Sequence, residues 1–382
     1  MKPIRIAKPL VAAVALAFAG VALADINIGV TVSATGPAAV LGVPQKNTAE
    51  ILPTSIGGEK VNWYILDDAS DPTNAAKNVN KFLTENKADL IIGGTVTPNA
   101  MAAVGPIVAA KTPFISLAPT RLEGDRFYWT FTMPQNVSLM AEALLENMKS
   151  KGFKTLGFIG YLPDAYGETW QKSLEAAAPK YGITLGPVEG FARTDTSVTG
   201  QAVKLIAAKP DAIIVVASGA PAAMPHTTLV ERGYKGQIYQ THSAPSPAFL
   251  KIGGKNVEGG ILVAGPLLEY AQLPDSNPVK KAAADYAKAY EAKYGAGTLS
   301  SFGGHMWDAW AIAARAIPEA LKKGKPGTPE FRAALRNAIE TEKDVVGVHG
   351  IYNYSPTDHN GLDTRGRVLL QVQNGTFKII SK

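Results

Sequence analysis

The chain has 382 residues, 46% of them apolar and 18% charged, with no cysteine and a formal charge of +6. The lack of thiols excludes a disulfide framework, a thiolate zinc site and lipid attachment through an N-terminal cysteine. Lysines are interspersed with acids, with no basic run and no basic-aromatic interleaving, which argues against a nucleic-acid partner.

The N-terminus reads as an export signal. Lys2, Arg5 and Lys8 form a positive start, Leu10 to Val21 an apolar stretch, and Ala22-Leu23-Ala24 a small-residue cleavage site before Asp25. The apolar stretch is shorter than the roughly 20 residues a spanning helix needs, and no later segment is long enough either, so no membrane insertion of the mature chain is expected. Cleavage after Ala24 removes three of the cations and leaves about +3 of the +6, on a chain long enough for two domains.

From Asp25 short β-branched runs alternate with longer stretches of helical period, as in parallel βαβ units. Strands are predicted at Ile26 to Val32, Val61 to Leu66, Leu90 to Gly93 and Pro113 to Leu117. Helices are predicted at Thr73 to Asn86, capped by Asp71 with Pro72 in the first turn, and at Pro98 to Ala110. A second series has strands at Thr155 to Ile159, Thr184 to Phe191, Asp211 to Ala217, Gln237 to Gln240 and Gly260 to Val263. Its helices are predicted near Gly167 to Tyr181, Ser197 to Lys209 and Pro221 to Gly233. The fold class is therefore α/β, with two lobes built in succession.

Long helices then break the rhythm at Asn277 to Tyr294, Phe302 to Lys322 and Pro329 to Ile339, followed by β-like pieces from Val345 onward. The polar, turn-rich segment Ser355 to Arg367 looks like a hairpin between Ile351-Tyr352 and Val368-Leu369-Leu370. Its Asp358-His359-Asn360-Gly361 resembles the start of a calcium loop, but no Glu closes the loop at the twelfth position, so a turn is expected.

Catalytic motifs are missing from the sequence: no G-x-S-x-G, no H-E-x-x-H, no Walker loop, and no G-x-G-x-x-G after the first strand. The five histidines, His226, His242, His305, His349 and His359, lack metal-ligand spacing. Neither an enzyme nor a cofactor is expected, although triads assembled from distant residues leave no motif.

Several short motifs occur in a recognisable order. After Ile28-Gly29-Val30 and Thr35-Gly36-Pro37 come Leu66-Asp67-Asp68-Ala69-Ser70-Asp71-Pro72, Ile91-Ile92-Gly93-Gly94, Pro113-Phe114-Ile115-Ser116 and Asp164-Ala165-Tyr166-Gly167. Together they resemble the branched-chain amino-acid (leucine/isoleucine/valine-type) family of ABC-transporter periplasmic substrate-binding proteins. The resemblance implies the type I periplasmic-binding fold: two Rossmann-like lobes with parallel central sheets, joined by a three-crossover hinge that closes on a ligand. It places crossovers near Met133, Pro266 and Val346, giving one lobe of residues 25–133 and 267–345 and a second of 134–266 and 346–382. It implies a periplasmic location and, as partners, a small-molecule ligand and the membrane permease subunits of an ABC transporter.

The resemblance assigns the ligand carboxylate to Thr95-Val96-Thr97 and Ala118-Pro119-Thr120. The residues themselves allow an anion site at Thr97, which precedes Pro98 at a helix start, although on the residues alone a threonine there more often caps its own helix; the resemblance favours ligand contact. Tyr166 matches the family's lobe-two tyrosine, and Leu41, Gly42 and Phe302 match its side-chain pocket. Arg121 follows Thr120 and is a candidate for an acidic ligand, or a solvated surface arginine.

The departure is His242, which stands where the amino-acid binders place a carboxylate for the ligand's ammonium; the loop Ala217-Ser218-Gly219-Ala220-Pro221 also lacks an acid. A buried ammonium without an acidic partner costs several kcal/mol. The expected ligand is thus a carboxylate without an α-amino group, an aromatic acid of the benzoate or hydroxycinnamate type. His242 suits its hydroxyl, carbonyl or second carboxylate, and the small residues Ser218, Gly219 and Ala220 leave room for a ring stacked by Tyr166 and Phe302. A one- or two-residue misalignment would instead give Asp164 or Glu168 as the missing acid. The competing readings are an amino-acid or amide binder on the same fold, and a soluble ligand sensor for a membrane receptor.

Overall fold

The computed structural model describes residues 25–120 and 122–380. The signal peptide expected over residues 1–24 and the candidate Arg121 lie outside the described residues. No described helix is long and apolar enough to cross a membrane.

Two sheets organise the chain. The first runs Ser55–Ile56, Glu59–Asp67, Ile26–Val32, Leu90–Gly93, Phe114–Ser116, Thr130–Thr132, and all its neighbours are parallel except the short first strand. In the strand Ile26–Val32, Ile26, Ile28, Val30 and Val32 enter a core shared with the helices Ser301–Leu321 and Pro329–Thr341. On the other face Gly29 leaves space for Phe82, whose ring lies 2.5 Å from where a Cβ would sit. That face is covered by the helices Pro72–Thr84 and Thr97–Ala109. Asp71 caps the first of these as expected, accepting the Asn74 N–H at 2.9 Å, an interaction worth about 1 kcal/mol.

The second sheet runs Thr376–Ile379, Val368–Gln373, Ile261–Ala264, Gln237–Gln240, Ala212–Val216, Thr155–Tyr161, Thr184–Phe191. Its five βα strands are parallel, and the last two strands of the chain extend it antiparallel. Trp170, Tyr239, Phe158 and Phe249 fill its core. The helix Val137–Ser150, absent from the sequence reading, packs Met140, Leu144 and Met148 into the same core.

The expected hairpin across Ser355 to Arg367 does not form. Ile351–Tyr352 pairs instead with Val345–Val346. Val368–Gln373 pairs with Thr376–Ile379 through Asn374-Gly375, both at positive φ (54° and 71°). A two-residue Asn-Gly turn has the twist that antiparallel strands require, whereas a long polar loop pays more closure entropy for a weaker register. The Asp358 carboxylate accepts the N–H groups of Asn360 and Gly361, so this segment is a turn, in line with the reading preferred over a calcium loop.

The chain passes between the two cores at three places. Met133 lies in the first core and Val137 in the second; Ala264 lies in the second, and Leu267 packs with Tyr286 of the helix Pro278–Tyr294 and with Val348 of a loop, both beside the first. The last passage falls later than the expected Val346, because Tyr352, Tyr354 and Leu362 still belong to the first core and Leu369 to the second. Hydrogen bonds tie the passages together: Tyr352 Oη donates to Met133 O, Asn360 Nδ2 to Pro134 O, and Gln135 Nε2 to Gly366 O.

Candidate ligand site between the sheets

In each sheet the strand order reverses beside one strand, Ile26–Val32 in the first and Thr155–Tyr161 in the second. Crevices outside the carboxyl ends of strands at such points are where open α/β sheets bind ligands. Here the two crevices face each other and enclose one cavity. The first body lines it with Leu41, Thr95, Val96, Thr97, Leu117, Ala118, Pro119, Phe302 and His305, and the second with Tyr166, Arg193, Ser218, His242 and Ser243. Pro134 lines it from the first passage. The free space is only about 20 Å³, room for a water molecule or two, so an aromatic ligand requires the walls to part.

The wall at Thr97 is suited to an anion. The helix Thr97–Ala109 has no side-chain cap; Pro98 carries no N–H and the Ala100 N–H bonds Val96 O, so the N–H groups of Thr97 and Asn99 are the first-turn amides without a partner within the helix. The Thr97 hydroxyl is buried and donates to Pro119 O at 3.0 Å, which ties the two loops together and leaves the backbone N–H groups as the donors for an anion. Thr95 lines the cavity, but its hydroxyl accepts Ser33 N–H at 2.9 Å and donates to Gln45 Oε1 at 2.6 Å. It is therefore spent on the scaffold.

Three expected site residues, Thr120, Gly42 and Gly219, do not line the cavity. Thr120 bonds Thr132 (Oγ1 to Oγ1, 2.7 Å) and lines a separate open groove of about 520 Å³ on the side of the first passage. Gly42 does not line the cavity; a Cβ there would lie 2.0 Å from Ser33 O, so glycine is needed for the close approach of its helix to the strand end. The space expected beside Gly219 is also taken. Gly219 has φ +58°, and a Cβ would meet Val40 and Leu41 of the opposite body at 2.7 and 2.8 Å. Small residues in this loop let the two bodies approach one another.

Tyr166, Phe302 and Leu41 do reach the cavity. Phe302 packs with Ala38, Leu41 and Val96 into an apolar wall. Tyr166 Oη donates to Thr241 Oγ1 at 2.7 Å, and burial pushes its pKa up to about 12, so it offers a neutral ring face.

No acidic side chain lines the cavity among the described residues. Asp164 caps the helix Ala165–Ala177 through Tyr166 N–H and holds Arg193 at two points, Nε to Oδ2 at 2.8 Å and Nη2 to Oδ1 at 3.0 Å. Glu168 is an exposed partner of Lys172. Neither is free to meet an ammonium. His242 is buried, and no described residue hydrogen-bonds either of its ring nitrogens; burial brings its pKa down to about 3, so it is neutral.

Sequence reasoning missed Arg193, Ser243 and His305. His305 follows Phe302 by three residues on one helix, so the helical period was a usable signal. Arg193 comes from a loop distant in sequence and carried none.

These features define a two-lobed binding protein with a site enclosed between its lobes. The chain belongs to the periplasmic binding protein family, which it matches over residues 25–376. It is similar to a Leu/Ile/Val-binding protein homolog of Brucella melitensis, with 25% identity over 361 residues covering 90% of this chain and 91% of that one. It is also similar to an extracellular ligand-binding receptor of Rhodopseudomonas palustris HaA2, with 46% identity, a TM-score of 0.92, and coverage of 94% of this chain and 100% of that one. A Rhodopseudomonas palustris ABC-transporter solute-binding protein in complex with benzoate shares the fold at 17% identity and a TM-score of 0.78, with 94% and 96% covered. The chain is thus a binding protein of the ABC-transporter type, with the type I periplasmic-binding fold.

Proposed function

We propose that this protein, exported to the periplasm by a cleaved signal, binds a small carboxylate lacking an α-amino group, an aromatic acid of the benzoate or hydroxycinnamate type. It closes on that acid between two hinged lobes and delivers it unchanged to the permease subunits of an ABC importer. The carrying observation is the cavity wall: uncapped helix amides at Thr97 face a site with no carboxylate, and the nearby Asp164 is neutralised by Arg193. An α-ammonium buried here would stay unpaired, at a cost of several kcal/mol, whereas a carboxylate meets backbone donors and the Arg193 guanidinium. The rings of Tyr166 and Phe302 supply faces for a flat ligand. The fold's capacity to hold benzoate in a distant relative is consistent with this reading.

The test is thermal unfolding of the mature chain, refolded free of carried-over ligand, against amino acids and aromatic or aliphatic acids. A ligand that binds only the native state raises stability by RT ln(1 + [L]/Kd). Aromatic acids are expected to raise Tm, and leucine-like amino acids to leave it unchanged. The opposite pattern would remove the ligand assignment while leaving the family.

A further inference from the structure

The cavity has a second polar wall that the anion site does not use. His242 stands in the loop after the strand Gln237–Gln240 of the second body, and His305 in the helix Ser301–Leu321 of the first. Both line the cavity, both are at least 95% buried, and their four ring nitrogens have no hydrogen-bond partner among the described residues. Buried polar atoms in native proteins are nearly always partnered, so a side-chain pair like this marks a place for a ligand's polar atom.

The pair is held in position. Trp170 and Tyr166 pack on His242, with ring centroids 5.7 and 6.2 Å away. His305 stacks on His349 at 4.1 Å. His349 in turn is fixed by Asp308, whose carboxylate bonds its Nδ1 at 3.0 Å and its backbone N–H at 3.1 Å, and also accepts from Tyr352 Oη. With Nδ1–H directed at Asp308, the ring that backs His305 cannot rotate freely.

We propose that His242 and His305 together receive a neutral oxygen of the ligand, a hydroxyl or carbonyl at the end away from its carboxylate. The pair then selects monocarboxylates bearing such an oxygen over dicarboxylates. A neutral imidazole presents one donor and one acceptor, and a hydroxyl can donate to one ring while accepting from the other. Burial keeps both rings uncharged, so a second carboxylate would enter without a counter-charge. Because the two rings come from opposite bodies, the bridge forms only on closure, and the far oxygen contributes to the closed state. This inference rests on the carboxylate reading of the site but not on the ligand's aromaticity.

The test is calorimetric titration of the mature chain with matched acids. The probes are benzoate, its 3- and 4-hydroxy derivatives and terephthalate; cinnamate and 4-hydroxycinnamate; hexanoate and 6-hydroxyhexanoate. The preferred hydroxy acid is expected to bind about tenfold tighter than its parent, and terephthalate at least about a hundredfold weaker than the hydroxy acid. In His242→Phe and His305→Phe the hydroxyl preference should shrink to about twofold or less. Equal affinity for parent and hydroxy acid in every pair, terephthalate binding as tightly as the hydroxy acids, or a preference that survives in both variants overturns the proposal. If either variant fails to fold, the wild-type pairs decide. A hydroxyl preference confined to the hexanoate pair would overturn the aromatic reading and support the histidine assignment.

Discussion

Arg193 and Asp164 form a two-point ion pair at the edge of the cavity, with the guanidinium also 4.2 Å from the centroid of the Tyr161 ring. The pair is mostly shielded from solvent, so each partner sets the other's charge at the site. Removing Arg193 would expose an unpaired carboxylate beside a cavity otherwise suited to anions. Arg193→Ala is expected to lower affinity for the carboxylate ligand by about tenfold or more, read by calorimetry. Unchanged affinity would show that the guanidinium serves only the fold.

Thr97 and Thr120 were alike in sequence, and the structure separates them. The Thr97 hydroxyl donates to Pro119 O and so joins the two anion-site loops; Thr97→Val should lower stability by about 0.5 to 1.5 kcal/mol, the usual net value of one hydrogen bond, and weaken carboxylate binding by loosening those loops. Thr120 faces the other groove, and Thr120→Ala should leave ligand affinity within about twofold. Calorimetry on both variants checks the contrast; an equal loss would return Thr120 to the site.

Local pattern carried most of the fold. The strands Ile26–Val32 and Leu90–Gly93 were legible residue for residue, because β-branched runs between turn residues have few other solutions. The helix Val137–Ser150 escaped because it follows directly on an interlobe passage, with no strand rhythm to frame it. The final strands were mispaired because pairing depends on turn geometry at Asn374-Gly375 rather than on strand content. At the site, the family resemblance assigned the loops that follow the strands, and Thr97, Tyr166 and His242 line the cavity. The partners that neutralise or back them, Arg193 for Asp164 and Asp308 for His349, meet only through tertiary contact and leave no local signal.

Gly219 reports on closure. Its φ of +58° with ψ −144° is a conformation only glycine adopts readily, and a methyl group would strike Val40 and Leu41 across the interface. Gly219→Ala is expected to favour the open arrangement, lowering affinity by about tenfold or more and leaving a larger radius of gyration in saturating ligand. Gly58→Ala is the control: it also replaces a glycine at positive φ (+87°), but nothing lies within 4 Å of its Cβ. Small-angle scattering of both variants with and without ligand separates backbone strain from interlobe contact. If both behave alike, the contact at Val40 and Leu41 does not govern closure.

The buried histidines predict the acid limb of the stability curve. Burial brings His226 and His242 down to about 3 from an ordinary 6.5, and His305 lies well below its ordinary value for the same reason. Above pH 6.5 folded and unfolded chains are equally unprotonated at these rings, so they impose no pH dependence there. As pH falls below 6.5 the unfolded chain takes up protons that the folded chain refuses, and stability falls continuously toward pH 3, where the folded rings begin to titrate. Each unit of pH in that window costs about 1.4 kcal/mol per ring. Carboxylates held low by hydrogen bonds, such as Asp67 and Asp211, add to the loss only below about pH 4, since their ordinary value is 3.8. Denaturant unfolding at pH 7, 6, 5 and 4.5 should therefore show a decline starting near pH 6.5, and His226→Gln should make it shallower. His226 is the ring to replace because it lies outside the cavity, its Nδ1 3.2 Å from Gln240 Nε2, so ligand binding does not obscure the comparison. Burial holds the carboxyls of Asp68, Asp89, Glu269 and Glu342 above their ordinary values, and their earlier proton uptake in the folded chain opposes the decline. The comparison with His226→Gln therefore decides: superimposable curves would mean that this buried ring is hydrated or charged in the folded state and would undercut treating His242 and His305 as neutral partners of a ligand.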